Sequence, residues 1–423
     1  MKTIKSIITL LVILGFVACD TGYNNEITYS INEPITMSKD EFRKKVKVTN
    51  AVNEISNYGK ICLYNGFIYI SEPEKGVHIL DNSNPANPQM VGYIELPGNA
   101  DLAIRNNLLY ADSYIDLVWF DVSNPATPIF KGRLEDVFPE ALPMPDNMHG
   151  YDYDMVESVR RKNVVVGWKV SERTEKMENY RGTWFFGFGN WLTMSDAAVS
   201  GPMSQGINGS MSRFTLYDDK LYIVLNNYMS IFDLQPEKPV KAVENIWIGG
   251  NVETIFSYKN NMFMGTPTGM LIYSVANPLK PEFQSSISHA FGCDPVIVHN
   301  DIAYVTIHSG NNCGQNSNEL IIVDVKDVKK PEQIASYRMT KPKGLAIDDE
   351  KLFLCDDGLK VFELATPKTI MGHQLVHKKD MNGFDVIAYN KNLIMIAEEG
   401  LFQFNYTDIN NIHQVSAILF KKQ

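Results

Sequence analysis

A strand-forming pattern returns along most of this chain at a nearly fixed interval. Each copy has a turn containing Asn or Asp, followed by alternating apolar and aromatic residues, as in NGFIYI, NNLLYA and DDKLYIV. Four of the seven intervals between equivalent positions are 41 residues and the others are 56, 56 and 49, for Tyr69, Tyr110, Val166, Tyr222, Phe263, Tyr304, Phe353 and Ile394. Because one small sheet cannot bury both of its faces, such units must stack on neighbours and close into a ring.

The second unit shows how each repeat divides into four strands, called A to D. DLAIRN is strand A, LLYADS is strand B, LVWFDVSNP is strand C with its terminal turn, and IFKGRL is strand D. Asn106 and Asn107 suit a tight A–B turn because Asn tolerates a left-handed backbone. Prolines end the C strands because they cannot donate to a ladder. The carboxylates at these ends are expected to cap turns rather than to catalyse: Asp81, Asp121, Asp233 and Asp324.

The number of blades depends on the third unit. We interpret DMVESVRRKNVVVGWKV as its strands A and B, but no clear strand C or proline turn follows before the next unit starts. An irregular insertion at about residues 170–212, rich in Gly, Ser, Met and aromatic residues, occupies that place. We therefore predict an all-β fold, a β-propeller of four-stranded antiparallel blades, with eight blades favoured over seven.

The N-terminal residues are typical of a secretory signal. Two lysines precede an apolar run from Ile7 to Val17, and Ala18 and Cys19 follow it. The stretch FVAC resembles the lipobox of bacterial lipoproteins, in which the cysteine becomes acylated at the new N-terminus. The alternative is an ordinary signal peptide with an incidental cysteine. We predict that Cys19 is lipidated and anchors the protein to a membrane.

The layout after the anchor follows from composition and capping signals. Residues 1–18 are predicted to be the lipoprotein signal peptide and 19–36 a flexible tether. Residues 37–50 should hold a short helix and a linker, because Ser38 and Glu41 form a capping box. Residues 51–423 are predicted to form the propeller.

Strand C carries a resemblance to a known family. LIIVD at residues 320–324, and less closely VHILD at 77–81, resembles the LVIVD-repeat proteins of bacterial and archaeal cell surfaces. The whole chain, with its lipobox and the stretch GCDP, resembles the LVIVD-type lipoproteins of Bacteroidetes. The resemblance covers nearly everything after about residue 50. It implies a lipid-anchored propeller of the cell envelope and no established activity. We predict that the membrane is the outer membrane, and the sequence leaves open whether the protein faces the periplasm or the outside.

The departures from the repeat fall on one face. In an up-and-down blade the D–A and B–C connections emerge on one face, and the A–B and C–D turns on the other. The irregular insertion and the loop after the strand around Tyr304 both belong to the first face. The candidate ligand-binding residues there are Trp184, Phe186 and Trp191 of the insertion, His308, and five acids near the starts of A strands at the mouth of the axial channel, Asp101, Asp154, Glu253, Asp294 and Asp385. Simpler interpretations remain: the acids keep the channel wet, the aromatic segment plugs it, and His308 is an ordinary loop residue.

The cysteines divide into two pairs. Cys293 and Cys313 fall on that same face in one unit, and in an oxidising compartment we predict a disulfide between them. Cys62 and Cys355 lie in strands and are expected to be buried thiols. No Cys/His spacing is tight enough for zinc.

Charge and motifs narrow the function. The net charge of −10 is spread thinly without a basic stripe, which excludes nucleic-acid binding. We favour a noncatalytic binding or scaffold module for a glycan, peptide or envelope protein. The alternatives are a glycan hydrolase or lyase with channel-mouth carboxylates as acid and base, and a quinoprotein-like cofactor propeller. No cofactor is predicted, although carboxylate oxygens suit calcium.

Overall fold

The computed structural model describes nine stretches of the chain, residues 26–49, 54–146, 148–177, 180, 205, 207–234, 238–288, 295–308 and 317–421. They build seven antiparallel blades, each with four strands from one continuous stretch of chain. Neighbouring blades pack face to face through buried apolar residues. In the part of the chain that is described, no helix has the length and apolar character to cross a membrane.

The elements follow the order of the chain. Before the ring come β1 (Glu26–Ser38), α1 (Lys39–Arg43) and β2 (Lys47–Thr49). Blade 1 contains, from A to D, β3 (Ile61–Tyr64), β4 (Phe67–Glu72), β5 (Gly76–Asp81) and β6 (Gln89–Glu95). Blade 2 contains β7 (Leu102–Arg105), β8 (Leu108–Ser113), β9 (Asp116–Asp121) and β10 (Ile129–Leu134). Between blades 2 and 3 lie α2 (Tyr153–Arg160), β11 (Asn163–Lys176) and β12 (Ile207–Asn208).

The remaining five blades are regular. Blade 3 contains β13 (Phe214–Tyr217), β14 (Lys220–Leu225), β15 (Tyr228–Asp233) and β16 (Val240–Trp247). Blade 4 contains β17 (Thr254–Tyr258), β18 (Asn261–Thr266), β19 (Gly269–Ser274) and β20 (Glu282–Ser288). Blade 5 contains β21 (Val296–His299), β22 (Ile302–Ile307), β23 (Glu319–Asp324) and β24 (Glu332–Arg338). Blade 6 contains β25 (Leu345–Asp348), β26 (Lys351–Cys355), β27 (Leu359–Glu363) and β28 (Gln374–Lys378). Blade 7 contains β29 (Gly383–Tyr389), β30 (Asn392–Ala397), β31 (Gly400–Asn405) and β32 (His413–Leu419), and 3₁₀ helices at Pro367–His373 and Ile409–Asn411 precede the D strands of blades 6 and 7.

Seven blades, rather than the favoured eight, is a correction to the sequence interpretation. The stretch around Val166 does not form a blade: its first half is α2, and its second half begins β11. β11 pairs antiparallel with β1, so these two strands form a ribbon separate from the blades. Alternating apolar residues predict a strand but do not choose its partner. The same pairing overturns the flexible tether from Glu26 onward, because those residues are one strand of the ribbon.

The turns of the blades confirm the sequence interpretation. Asn106 and Asn107 have φ angles of 49° and 62°, and the same left-handed turn recurs at Asn300–Asp301 and at Asn390–Lys391. After the C strands, the side chains of Asp81, Asp121 and Asp324 each accept a hydrogen bond at 2.9 Å from the backbone N–H two residues further on. Asp233 Oδ1 accepts a hydrogen bond from Lys220 Nζ at 3.3 Å.

The N-terminal helix is also confirmed. Ser38 Oγ accepts a hydrogen bond from the backbone N–H of Glu41 at 3.3 Å and donates to Glu41 Oε2 at 2.8 Å. Phe42 of α1 is buried against Tyr114 of blade 2. Arg43 Nε donates to the buried Asp116 at 2.9 Å. The short helix therefore docks the N-terminal ribbon onto the B–C turn of blade 2.

Candidate functional site

Residues 207–213, called the axial segment below, cross the inner ends of the blades. β12 pairs with β3, the A strand of blade 1. Ser210 Oγ accepts from the backbone N–H of Leu345 in blade 6 at 2.6 Å, and the Ser212 carbonyl accepts from Ile255 N–H in blade 4 at 3.0 Å. One stretch of the D–A connection from blade 2 to blade 3 thus occupies the axis of the ring.

Asp385 holds this segment from blade 7. Its Oδ1 accepts hydrogen bonds at 2.8 Å from both the backbone N–H and the hydroxyl of Ser210. Oδ2 is buried and has no hydrogen-bond partner within the described ranges. Burial raises the pKa of Asp385 to about 7.

Asp101 holds the segment from blade 2. Its carboxylate receives the Ser212 hydroxyl at 2.9 Å, the Arg213 backbone N–H at 2.6 Å and Lys60 Nζ at 3.3 Å. Burial lowers the pKa of Lys60 to about 8, against the attraction of Asp101. The ammonium also donates to the Met211 carbonyl at 3.1 Å. The two aspartates are therefore anchors for the axial segment, and neither faces an open channel mouth.

The other three candidate acids lie in different surroundings. Glu253 is buried at the start of blade 4. Asp154 lies in the first turn of α2 and is exposed, because the stretch interpreted as strand A is a helix outside the blades. Asp294 lies outside the described residues. The predicted acidic ring is accordingly wrong at Asp154.

The remaining candidate residues fall in different categories. His308 follows β22 in blade 5 and is buried. Cys62 and Cys355 are buried, as predicted. Trp184, Phe186, Trp191, Cys19, Cys293 and Cys313 lie outside the described residues, and the predictions about them stay predictions.

An open cleft lies between blades 2 and 3. It encloses about 590 Å³ of empty space, part of it continuous with solvent. Its walls include the B–C turns of both blades, at Tyr114 and Asn226, and residues 138–142 of the connection between the blades. This feature, called the blade 2–3 cleft, therefore opens on the D–A and B–C face that the sequence favoured for ligand binding.

An ion pair in the cleft wall includes Arg213, the last residue of the axial segment. Arg213 Nη2 donates to Asp112 Oδ2 at 3.1 Å, and both residues are largely buried. Asp112 Oδ1 accepts from the backbone N–H groups of Ala100 and Asp101 at 2.7 and 2.9 Å. Burial raises the pKa of Asp112, and Arg213 opposes the shift. The cleft is thus joined to the axial segment through Arg213 and Asp101.

Two polar atoms in the cleft walls have no partner among the residues that the structure describes. They are the donor Nε of Arg213 and the acceptor Oδ1 of Asn226, and both atoms are buried. Sequence analysis missed Asp112, Arg213 and Asn226. The sequence feature that could have indicated this site was Asp112, a carboxylate in the otherwise mostly apolar strand LLYADS.

Metal binding finds no support within the described ranges, where no group of three or more His, Cys, Asp or Glu is placed to hold an ion. Two of the candidate carboxylates are occupied by hydrogen bonds. Asp101 and Asp385 accept hydrogen bonds from the axial segment. The arrangement can hold a segment of its own chain and offers a cleft to a ligand.

Seven four-stranded blades around an axial segment define a β-propeller. The LVIVD repeat family matches residues 58–95 and 97–136, which contain blades 1 and 2. The chain therefore carries LVIVD repeats, which confirms the resemblance of these two blades to LVIVD-repeat proteins. VHILD at 77–81 lies within the first match, whereas LIIVD at 320–324 lies outside both.

Several solved structures are similar to this chain at low sequence identity. The computationally designed Ika8 protein has a TM-score of 0.50 and 7% identity over 88% of this chain and 90% of that one. BamB from Moraxella catarrhalis has a TM-score of 0.46 and 8% identity over 89% and 97%. Hsv2p from Kluyveromyces lactis has a TM-score of 0.44 and 13% identity over 87% and 99%. No curated protein matches the chain. These likenesses concern the fold alone.

Proposed function

We propose that this protein is a noncatalytic binding module of the bacterial cell envelope, anchored through a lipid on Cys19, that recognises a partner on the face formed by its D–A and B–C connections. The observation that carries the binding role is the blade 2–3 cleft, which combines apolar walls with two buried polar atoms that have no partner among the described residues. Buried polar groups are normally hydrogen-bonded, so a site that leaves a donor and an acceptor unused is suited to a ligand.

The positions of the carboxylates support binding over glycan hydrolysis. A glycosidase needs two carboxyl groups that face one glycosidic bond. Asp101 and Asp385 are both buried, and their hydrogen bonds go to the axial segment. Asp112 is paired with Arg213. These three carboxylates are buried and hold other parts of the chain, so none of them is exposed to act as a general acid or base.

The envelope location is supported by the sequence rather than by the cleft. The N-terminal lipobox pattern and the LVIVD repeats both suit a surface lipoprotein. The outer membrane is the proposed membrane, and the partner is an envelope protein or glycan.

The binding role is tested by screening the full-length protein, held in detergent micelles, against arrays of envelope proteins and of glycans. We expect saturable binding of at least one partner, with no chemical change in it. If a bound partner is consumed and products are released over time, the protein is an enzyme and not a noncatalytic binding module. Failure of every envelope protein and glycan to bind would remove the proposal.

A further inference from the structure

We propose that the blade 2–3 cleft binds a peptide segment of a partner protein, taking up one apolar side chain together with a neighbouring peptide bond. This inference rests on the proposed binding function and names the chemistry of its ligand.

The walls of the cleft suit an apolar side chain. They are formed by aromatic rings and aliphatic side chains, among them Tyr114, Phe138, Phe214, Ile223 and Leu225. Burial of apolar surface is the main source of affinity in such a cleft. Four polar or charged residues also line it, Asp112, Glu140, Arg213 and Asn226. A sugar, whose hydroxyl groups each need a partner, would find few of them here.

The cleft is held in shape before any ligand arrives. The backbone N–H of Phe138 donates to the Ile115 carbonyl in blade 2 at 2.9 Å, while its ring meets the Phe232 ring of blade 3 edge-on at 6.0 Å. Gly98 has a φ angle of 76°, and a Cβ there would overlap the ring of Tyr114, so this glycine lets the ring lie against the backbone. A preformed cleft reduces the ordering cost of binding.

The two unused polar atoms are one donor and one acceptor, the two kinds of group that pair with a peptide bond. Arg213 Nε is a donor that needs an acceptor, and Asn226 Oδ1 is an acceptor that needs a donor. Each peptide bond carries one C=O and one N–H. The backbone of Asn226 is held in place, because its carbonyl accepts the Val252 N–H at 2.8 Å, and its φ is 56°.

The charges favour a neutral ligand over an anion. The positive charge of Arg213 is already paired with Asp112. Glu140 also lines the cleft. A carboxylate or phosphate would therefore meet negative groups without a cation left to balance it, whereas a peptide bond carries no charge.

The test uses the full-length protein and capped five-residue glycine peptides with Leu, Phe, Ser, Asp or Lys at the central position. Dissociation constants are measured by ligand-observed NMR. The peptides with Leu or Phe should bind at least tenfold more tightly than those with Ser, Asp or Lys. Equal binding of all five, or binding of none, would overturn the proposal.

The variant Asn226→Gly probes the polar contact, because glycine tolerates the left-handed backbone and lacks the acceptor. We expect it to bind the best peptide at least fivefold more weakly. The matched control is Asn390→Gly, an exposed residue with φ of 48° in an A–B turn on the opposite face, which should bind like the parent. Equal weakening in both variants would contradict the assignment.

Ester analogues of the best peptide, each lacking one N–H next to the central residue, provide a second measurement. One ester should bind the parent at least fivefold more weakly than the amide does, and this difference should vanish in Asn226→Gly. If the difference persists there, Asn226 is not the acceptor. If N-acetylated chito-oligosaccharides bind with the same dependence on Asn226, the ligand is a glycan. If an envelope partner binds but does not respond to Asn226→Gly, only the cleft assignment fails and the binding module stands.

Discussion

Asn82 of blade 1 and Gln403 of blade 7 are 321 residues apart in the sequence and exchange two hydrogen bonds across the join of the ring. Asn82 Nδ2 donates to Gln403 Oε1 at 3.0 Å, and Gln403 Nε2 donates to Asn82 Oδ1 at 2.7 Å. Blades 1 and 7 each take their four strands from one continuous stretch, so side chains such as these link the two blades, together with the backbone N–H of Lys421, which donates to the Ile55 carbonyl at 3.0 Å. Apolar residues of both blades, including Ile61 and Ile394, pack in one cluster there.

Gln403→Ala should destabilise this join. The substitution leaves the buried amide of Asn82 without its partner, which costs about 1–3 kcal/mol in the free energy of unfolding. Urea unfolding measures the loss. Gln414→Ala, at an exposed position of the same blade, is the control and should change stability by less than about 0.5 kcal/mol. If both variants unfold like the parent, the amide pair contributes nothing to closure.

Gly209→Ala should displace the axial segment. A Cβ at residue 209 would overlap the carboxylate of Asp385 and come within 2.9 Å of Ile61. Overpacking of this kind costs about 1–3 kcal/mol. Thermal unfolding should show a lower midpoint, and proteases should cut the variant faster near residue 209. Gly372→Ala has open space around its new methyl group and should behave like the parent. Equal stability of all three proteins would mean that the segment is not packed on the axis.

Asp385 should make stability depend on pH. Its folded pKa is raised by burial from 3.8 to about 7, so the folded state prefers the protonated form. That contribution to stability is complete below about pH 4, and it is lost as the pH rises through about 7. Asp385→Asn keeps an acceptor for Ser210 and carries no charge. The variant should therefore be more stable than the parent at pH 8, on the order of 4 kcal/mol, with the difference shrinking toward pH 4. A difference that does not change between pH 4 and 8 would contradict the shift.

Cys19→Ser should release the protein from the membrane. Serine cannot carry the thioether-linked lipid that would hold the protein at the membrane. Fractionation of cells that express each form, followed by immunoblotting, measures the distribution. Retention of Cys19→Ser in the membrane fraction at the parental level would refute the lipid anchor.

Cys293 and Cys313 should form a disulfide. Both residues were assigned from the sequence to one face of a single repeat, and the proposed compartment is oxidising. Peptide mapping of unreduced protein should find the two cysteines in one linked peptide pair. Cys62 and Cys355, which are buried, should react with alkylating reagents only after denaturation. Modification of Cys293 and Cys313 in the unreduced native protein would disprove the bridge.

The sequence by itself determined the repeat and its local chemistry. The division of the second unit into four strands, its Asn106–Asn107 turn and the caps at Asp81, Asp121 and Asp324 all appear in the structure. The helix capped by Ser38 appears as well. These features depend on residues a few positions apart, so propensity and side-chain hydrogen bonding decide them without the rest of the fold.

Tertiary structure alone decided the blade count and the site. β11 has the alternation of a blade strand, yet it pairs with β1, more than a hundred residues earlier in the chain. Asp101 and Asp385 stand near the starts of A strands as predicted, but the axial segment occupies their carboxylates. The cleft joins Asp112, Arg213 and Asn226 from separate stretches. Strand partners and buried polar pairs are determined by contacts between distant parts of the chain. A local sequence pattern does not show which distant segment will pack against it.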